Sequence, residues 1–252
     1  MFFYSEPIIA QTLISSYVTS SISVLADASN TISYPGTGSI LYNILDTSKT
    51  MALSGPTFSG SNLLKYFRFD GVNDSISVPT TTINVGSVTS NANTISFWYR
   101  KNTGTNGGNL FSNFRDNYIY PGDYYRATGF GIFVRTDGTI QTSTTDMSGR
   151  SYHDTTTGSV PVDENFHNIT VRNRHEVFID GVYAGSAGGH AVGSVGTNFQ
   201  NNQFYIGRRN SSHNNQLGWL SGDIAAFQFH TSSLTNQEIL DNFNMSKNNF
   251  GL

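Results

Sequence analysis

From about residue 64 onward, apolar and polar side chains alternate in short runs, each closed by Gly, Asn, Asp or Pro. A period of two sends successive side chains to opposite faces of an extended chain, so these runs predict strands with one face on a core. KYFRFDG at 65–71 is aromatic and ends on Asp70-Gly71, a strong turn signal, and ISV at 76–78 stops at Pro79. TISFWYR at 94–100 places Ile95, Phe97 and Tyr99 on one face and Ser96, Trp98 and Arg100 on the other. GFGIFVRTDGTI at 129–140 turns at Asp137-Gly138, and EVFIDGVYAG at 176–185 reads as a hairpin hinged on Asp180-Gly181. HNITVRN at 167–173, FYIGRR at 204–209 and GDIAAFQFH at 222–230 complete the series. Together they predict an all-β, two-sheet antiparallel sandwich.

One helix stands apart. Thr235-Asn236-Gln237-Glu238 is a capping box with Thr235 as N-cap and Glu238 at N3, and Ile239, Leu240 and Phe243 supply apolar anchors. The helix is expected to be short, ending among Asn244, Lys247, Asn248 and Asn249. Residues 1–23 carry a single charge, Glu6, among strand-prone Ile, Leu, Tyr and Val and many hydroxyl residues. Left in water, such a segment is an edge-pairing hazard. It is expected to pair as a strand with the main sheet or to dock as an arm on another subunit. One sandwich domain is then expected over 24–252.

Composition narrows the function classes. Of 252 residues only 12% are charged, 13% are aromatic and 37% are hydrophobic, enough for a core and too little Lys and Glu for a helical bundle. A formal net charge of -3 gives no field to gather nucleic acid or anionic lipid. The uncharged runs Pro7 to Ala26 and Ser75 to Tyr99 hold too many hydroxyls for a transmembrane helix. No Lys or Arg precedes Lys49, so the basic start of a signal peptide is not expected. Without Cys there is no disulfide framework, thiolate metal site or cysteine nucleophile.

The segments FDGVNDSISVP, TISFWYR, FHNITVRN with EVFIDGVYAGS, FYIGRR and GWLSGDIAAFQFHTSSLTNQEI follow one another in a telling order. That order resembles the laminin-G-like jelly roll of the concanavalin A-like lectin/glucanase superfamily, over roughly residues 22 to 244. The earlier VLADASNTISYPGTGSILYNI is similar to the lead of a form found in marine tailed-phage structural proteins, commonly LDAGNPASYPGSGTTWYDLSG. Ala26-Asp27-Ala28 and Ser33 to Gly38 match, whereas Leu41 stands where Trp is usual and Asn43 where Asp is usual. Phe166 also replaces a Trp before His167, and Asp223 is followed by Ile224 rather than a second acid.

The resemblance implies a non-enzymatic virion structural protein: a capsid decoration, tail or fibre-associated component, assembled in the host cytoplasm without a signal peptide. Its expected partners are other virion proteins, met through the N-terminal arm, further copies of itself in a homo-oligomer, and host-surface glycans. Nucleic acid and a membrane span are not expected. The alternative is a carbohydrate-binding adhesin module of a cellular surface protein.

Because the superfamily includes glycoside hydrolases, the carboxylates need a check. Retaining enzymes hold two about 5–5.5 Å apart and inverting enzymes about 6.5–9.5 Å apart. Glu6, Glu164, Glu176 and Glu238 are the only Glu residues, and no E-x-D-x-E segment exists. The nearest mimic, Glu176 with Asp180, would span about 13 Å if extended. No catalytic residue is expected. The six His residues form no H-E-x-x-H, no G-x-S-x-G elbow exists, and each His is expected at the surface or in a loop.

For binding, three places stand out. Asp70, Asn73 and Asp74 group oxygen ligands after a strand and form the calcium candidate; the plainer reading is turn shaping by Asp70 with Gly71. No other cofactor is expected. The 112–129 loop concentrates Tyr118, Tyr120, Tyr124 and Tyr125, which bury large area at low rotamer cost. The 208–219 loop offers Arg208, Arg209, Asn210, His213 and Trp219, whose forks, amides and indole suit sugar hydroxyls and apolar sugar faces. The plainer reading for both loops is a subunit interface or self-packing.

Overall fold

Alternation along the chain becomes two antiparallel sheets packed face to face. The computed structural model describes residues 21–61, 64–82, 92–113, 115–117, 126–145, 151–186, 203–209 and 218–252. In chain order the first strands are β1 (Ile22–Asp27), β2 (Ile40–Asn43), β3 (Asp46–Ser54), β4 (Thr57–Ser61), β5 (Leu64–Asp70) and β6 (Ser75–Val78). Then come β7 (Thr94–Arg100), β8 (Gly108–Ser112), β9 (Arg115–Asn117), β10 (Arg126–Val134), β11 (Thr139–Thr145) and β12 (Ser151–Ser159). The last are β13 (His167–Arg172), β14 (Glu176–Ile179), β15 (Val182–Ser186), β16 (Phe204–Ile206) and β17 (Ser221–His230). Helix α1 (Asn236–Ser246) and a 3₁₀ turn (Lys247–Phe250) follow. The first sheet runs β15-β14-β13-β7-β17-β5-β4, with β1 also beside β17. The second runs β12-β11-β10-β8-β16-β6-β3-β2, with β9 beside β10.

The inner faces meet in one core. Ile95, Phe97 and Tyr99 of β7 lie with Ile169, Val171, Phe227 and Phe229 against Phe111, Phe130, Ile132, Phe204 and Ile206 of the opposite sheet. Part of the first sheet's outer face is covered too. Trp98 stacks on Phe250 at 4.2 Å and on Phe243 at 5.8 Å, and Phe166, Ala225 and Ala226 join them. The capping box forms as expected, with Thr235 Oγ1 accepting from the Glu238 N–H and Glu238 Oε2 accepting from the Thr235 N–H.

Register explains a buried charge beside that aromatic group. Asp223 of β17 lies opposite Arg68 of β5 on one side and opposite Arg100 of β7 on the other. Its carboxylate accepts from Arg68 Nε at 3.0 Å and from Arg100 Nε and Nη2 at 2.9 and 2.6 Å. The Arg100 guanidinium in turn lies over the Tyr66 and Phe166 rings at 4.6 and 4.7 Å.

The lead segment is welded on by side chains. Asn43 is fully buried, its Oδ1 accepting from the Leu25 N–H and its Nδ2 donating to Ser23 O. An amide can do both, whereas the Asp usual at this position would be acceptor-only when ionised. Ser33 Oγ donates to Tyr42 O and Tyr34 Oη donates to Gly38 O, closing the Ser33 to Gly38 motif into a compact loop.

Three details add to the pattern read from alternation. Ile22 and Ser23, grouped by composition with the arm, open β1, where Ile22 pairs with His230 of β17; residues 1–20 lie outside the described residues. The strands β1 to β4 go beyond the series read from residue 64; β3 and β4 are rich in Ser and Thr and mostly exposed or half-buried, so they carry little alternation. Finally, Gly71 does take a positive φ of 84°, but β5 and β6 belong to different sheets, so this turn crosses between sheets. The other two turns are hairpins, with Asp180 and Gly181 at φ of 51° and 76°.

Candidate functional site

A cleft of about 580 Å³ opens at the end of the sandwich where β5, β7, β10 and β16 finish and β8, β11 and β17 begin. Asp70, Thr105, Asn106, Arg135, Gln141 and Trp219 give its wall its chemistry. Backbone bonds hold the parts together. Gly207 N–H donates to Asn109 O at 3.1 Å, Leu220 N–H to Gly207 O at 2.8 Å, and Ser221 N–H to Gly107 O at 3.2 Å. The fully buried Asn109 adds a 2.7 Å bond from Nδ2 to Gly218 O, next to Trp219.

Gly107 and Gly108 make this approach feasible. A Cβ on Gly107 would lie 1.7 Å from Val134 O, and one on Gly108 would lie 2.5 Å from Trp219 O and from Leu220 Cα. No side chain fits there. The Arg208 guanidinium lies 3.9 Å from the Tyr205 ring centre and 5.7 Å from that of Trp219. On another wall Arg135 Nη1 donates to Gln141 Oε1 at 3.3 Å.

The expected site residues separate. Asp70 and Trp219 come together in the cleft, with Arg208 and Arg209 leading away from β16. Asn210 and His213 lie outside the described residues, as do Tyr118, Tyr120, Tyr124 and Tyr125. The flanks of the tyrosine-rich loop are nonetheless placed. Asn117 pairs with Arg126 at the start of β10, whereas Val134 at its far end lines the cleft. The flanks of the tyrosine-rich loop therefore lie at one end of β10, and Trp219 lies by the other.

At the calcium candidate, the carboxylates serve the backbone. Asp70 Oδ1 accepts from the Val72 N–H at 2.7 Å, and Asp74 Oδ2 accepts from the Asp70 N–H at 2.9 Å. Burial raises the Asp74 pKa, an effect moderated by the Asp70 N–H. Asn73 is exposed. Among the described residues, no three His, Asp or Glu side chains converge to hold a metal ion.

Two histidines depart from the surface expectation: His167 and His230 are buried in the first sheet. His167 begins β13 at the cleft end, where Nδ1 meets Asp180 Oδ2 at 2.7 Å and Nε2 meets Asp163 Oδ1 at 3.0 Å. Two carboxylate neighbours are satisfied together only by an imidazolium, which donates from both nitrogens. Burial opposes that charge, but the bonds to Asp180 and Asp163 outweigh it and raise the His167 pKa. Partial burial would raise the Asp163 pKa, but the Asn165 N–H and His167 bring it down to about 2. Glu176 is likewise committed: Arg172 grips it through Nε and Nη2, both at 2.8 Å, and lowers its pKa.

Composition and periodicity missed Gly107, Gly108, Arg135 and Gln141. The Gly-Gly pair before Asn109 was the available signal, since it marks a close backbone approach. Arg135 and Gln141 carry no such signal, because they meet only across the β10–β11 hairpin. As built, the cleft offers an indole face for an apolar ring surface, with carboxylate, amide and guanidinium groups for hydroxyls around it.

Residues 70–240 match the laminin G type of the family described as the concanavalin A-like lectin/glucanases superfamily. A comparison with curated proteins finds no match. Among solved structures, the chain is similar to Trypanosoma rangeli sialidase in complex with the inhibitor DANA, at 15% identity and a TM-score of 0.56, over 91% of this chain and 33% of that one. The same sialidase in complex with sialic acid gives 14% identity and a TM-score of 0.57, over 90% and 33%. A mutant of HCR/D gives 14% identity and a TM-score of 0.57, over 89% and 51%. This chain thus spans a third of the sialidase and half of HCR/D. At such identities the likeness is one of fold.

Proposed function

The chain belongs to the concanavalin A-like lectin/glucanases superfamily, and from that premise we propose that it is a non-enzymatic, saccharide-binding structural protein of a virion. The observation that carries the binding reading is the cleft, where Trp219 and Asp70 converge with Arg135 and Gln141. An indole with a ring of planar donors and acceptors suits a pyranose, whose apolar face stacks while its hydroxyls bond outward. The similar sialidase was solved with sialic acid, so sialylated glycans belong among the trial ligands.

Two observations support a binding role without catalysis. Asp70 is the only carboxylate residue among the described residues that line the cleft, and hydrolysis by either common geometry needs two. Elsewhere, Glu176 and Asp180 are engaged by Arg172 and His167. The virion assignment, as a capsid decoration, tail or fibre-associated component, draws on the Ala26-Asp27-Ala28 and Ser33 to Gly38 segments and their likeness to the phage form. In this reading residues 1–20 serve as the arm toward neighbouring virion proteins, and the protein assembles as a homo-oligomer.

A glycan array of host-type surface polysaccharides tests the binding role. Wild type should retain a defined subset, and Trp219→Ala should weaken it by about tenfold, the equivalent of about 1.4 kcal/mol. Silence of the wild type across the array would remove the binding role. Mass spectrometry of purified particles tests the location. Stoichiometric copies are expected, and absence from particles would favour the cellular adhesin instead.

A further inference from the structure

The alternation of β7 carries one step beyond the strand. After Ile95, Phe97 and Tyr99, the next inward position is Lys101, which brings an ammonium to the cleft end of the sandwich. Lys101 is only 2% exposed, and its Nζ donates to Thr105 O at 2.8 Å. Thr105 is also tied to Asn102 O, by its N–H and by a 2.7 Å bond from its hydroxyl. Residues 101–105 thus form a closed bracket, and from it Thr105, Asn106 and Gly107 continue directly into the cleft wall.

An apolar side chain would occupy this place at lower cost. Burial disfavours the charged amine and lowers its pKa, and the opposing influence comes from Asp137 in the β10–β11 turn. Asp137 is exposed and follows directly on the cleft-lining Arg135 and Thr136. Lys101 of the first sheet therefore bonds one wall and electrostatically attracts the turn that carries another. The other charged groups at the cleft, Asp70 and Arg135, are engaged with the Val72 N–H and Gln141.

We infer that Lys101 is a positioning residue of the binding site, holding the Thr105 to Gly107 wall at the spacing from Trp219 that a sugar ring requires. This rests on the saccharide-binding reading. The Lys101→Met variant keeps the length and removes the donor and the charge. Because burial already disfavours the ammonium and its nearest carboxylate, Asp137, is exposed, the change leaves no buried charge behind, and the melting temperature should stay level or rise. Its affinity for the array-selected saccharide should fall by about tenfold.

A readout that needs no ligand runs in parallel. With ¹⁵N-labelled tryptophan the protein gives two indole signals, Trp98 and Trp219. Lys101→Met should move the Trp219 signal and leave that of Trp98, beneath Phe250, in place. Undiminished saccharide binding by the variant would overturn the inference while the function stands. A parallel loss of melting temperature and binding would also overturn it, marking Lys101 as a stability residue. If the wild type binds no saccharide the functional reading fails, and an unmoved Trp219 signal then sinks the positioning role independently.

Discussion

Replacing Asp223 by Asn removes the charge that holds two arginines on the outer face of the first sheet. The wild-type carboxylate is fully buried and accepts three charge-assisted bonds, at 3.0, 2.9 and 2.6 Å. An Asn presents one acceptor, and its amide hydrogens face guanidinium hydrogens. The two arginines do not suffer equally. Arg68 is 49% exposed and can turn to water, whereas Arg100 is 19% exposed and wedged against Tyr66 and Phe166. Breaking a buried pair costs about 3–5 kcal/mol, and relief of Arg68 points to about 3 kcal/mol. At about 2–4 °C per kcal/mol for a chain of this size, the melting temperature should fall by roughly 6–12 °C. Calorimetry and urea unfolding read this directly. The double variant Asp223→Leu with Arg100→Met should recover most of the loss, since both buried charges then disappear together. A single-variant loss under about 1 kcal/mol, or a double variant no better than the single, would refute the reasoning.

Three further outcomes concern ionisation and the lead segment. The raised pKa of His167 means its clamp on Asp163 and Asp180 is fully stabilising below about pH 6.5 and is lost as pH rises through the folded value. The melting temperature of His167→Gln relative to wild type should therefore recover with rising pH, and a constant gap from pH 5 to 9 would contradict this. Asp27 behaves oppositely to most carboxylates, because burial pushes its pKa from 3.8 to about 6, against the Ser29 and Asn30 N–H groups. It withdraws roughly 3 kcal/mol of stability as pH climbs from about 4 to about 6. Asp27→Asn should consequently stabilise the protein at pH 7 and flatten that part of the profile, as denaturant titrations at several pH values would show. Asn43→Asp loses the donation to Ser23 O in a fully buried position and should cost about 1–3 kcal/mol by urea unfolding.

The sandwich was legible because strands such as β7 and β13 keep a period of two. Ile95, Phe97 and Tyr99 did face the core, and Thr235 and Glu238 did cap the helix. What alternation concealed was the second layer. Trp98 sits on the nominally polar face of β7 and is buried because the C-terminal segment folds back over it, a contact 152 residues away along the chain for Phe250. The cleft was half legible for a similar reason. Trp219 and Asp70 announce chemistry by residue type, but Gly107, Arg135 and Gln141 join them only through strand order. The clamp on His167 has no local signature, because Asp163 and Asp180 reach its two nitrogens from a loop and a hairpin tip. At Asn43 the residue type shows a departure from Asp, whereas the reason, an amide bonding both ways to β1, lies in the packing.

The most direct test of the saccharide-binding reading is isothermal titration of the array-selected saccharide into three proteins: wild type, Trp219→Ala, and Tyr118→Ala from the tyrosine-rich loop. Wild type and Tyr118→Ala should bind alike, and Trp219→Ala should bind about tenfold more weakly. Equal binding by all three, or a loss confined to Tyr118→Ala, would contradict the placement of the site in the cleft.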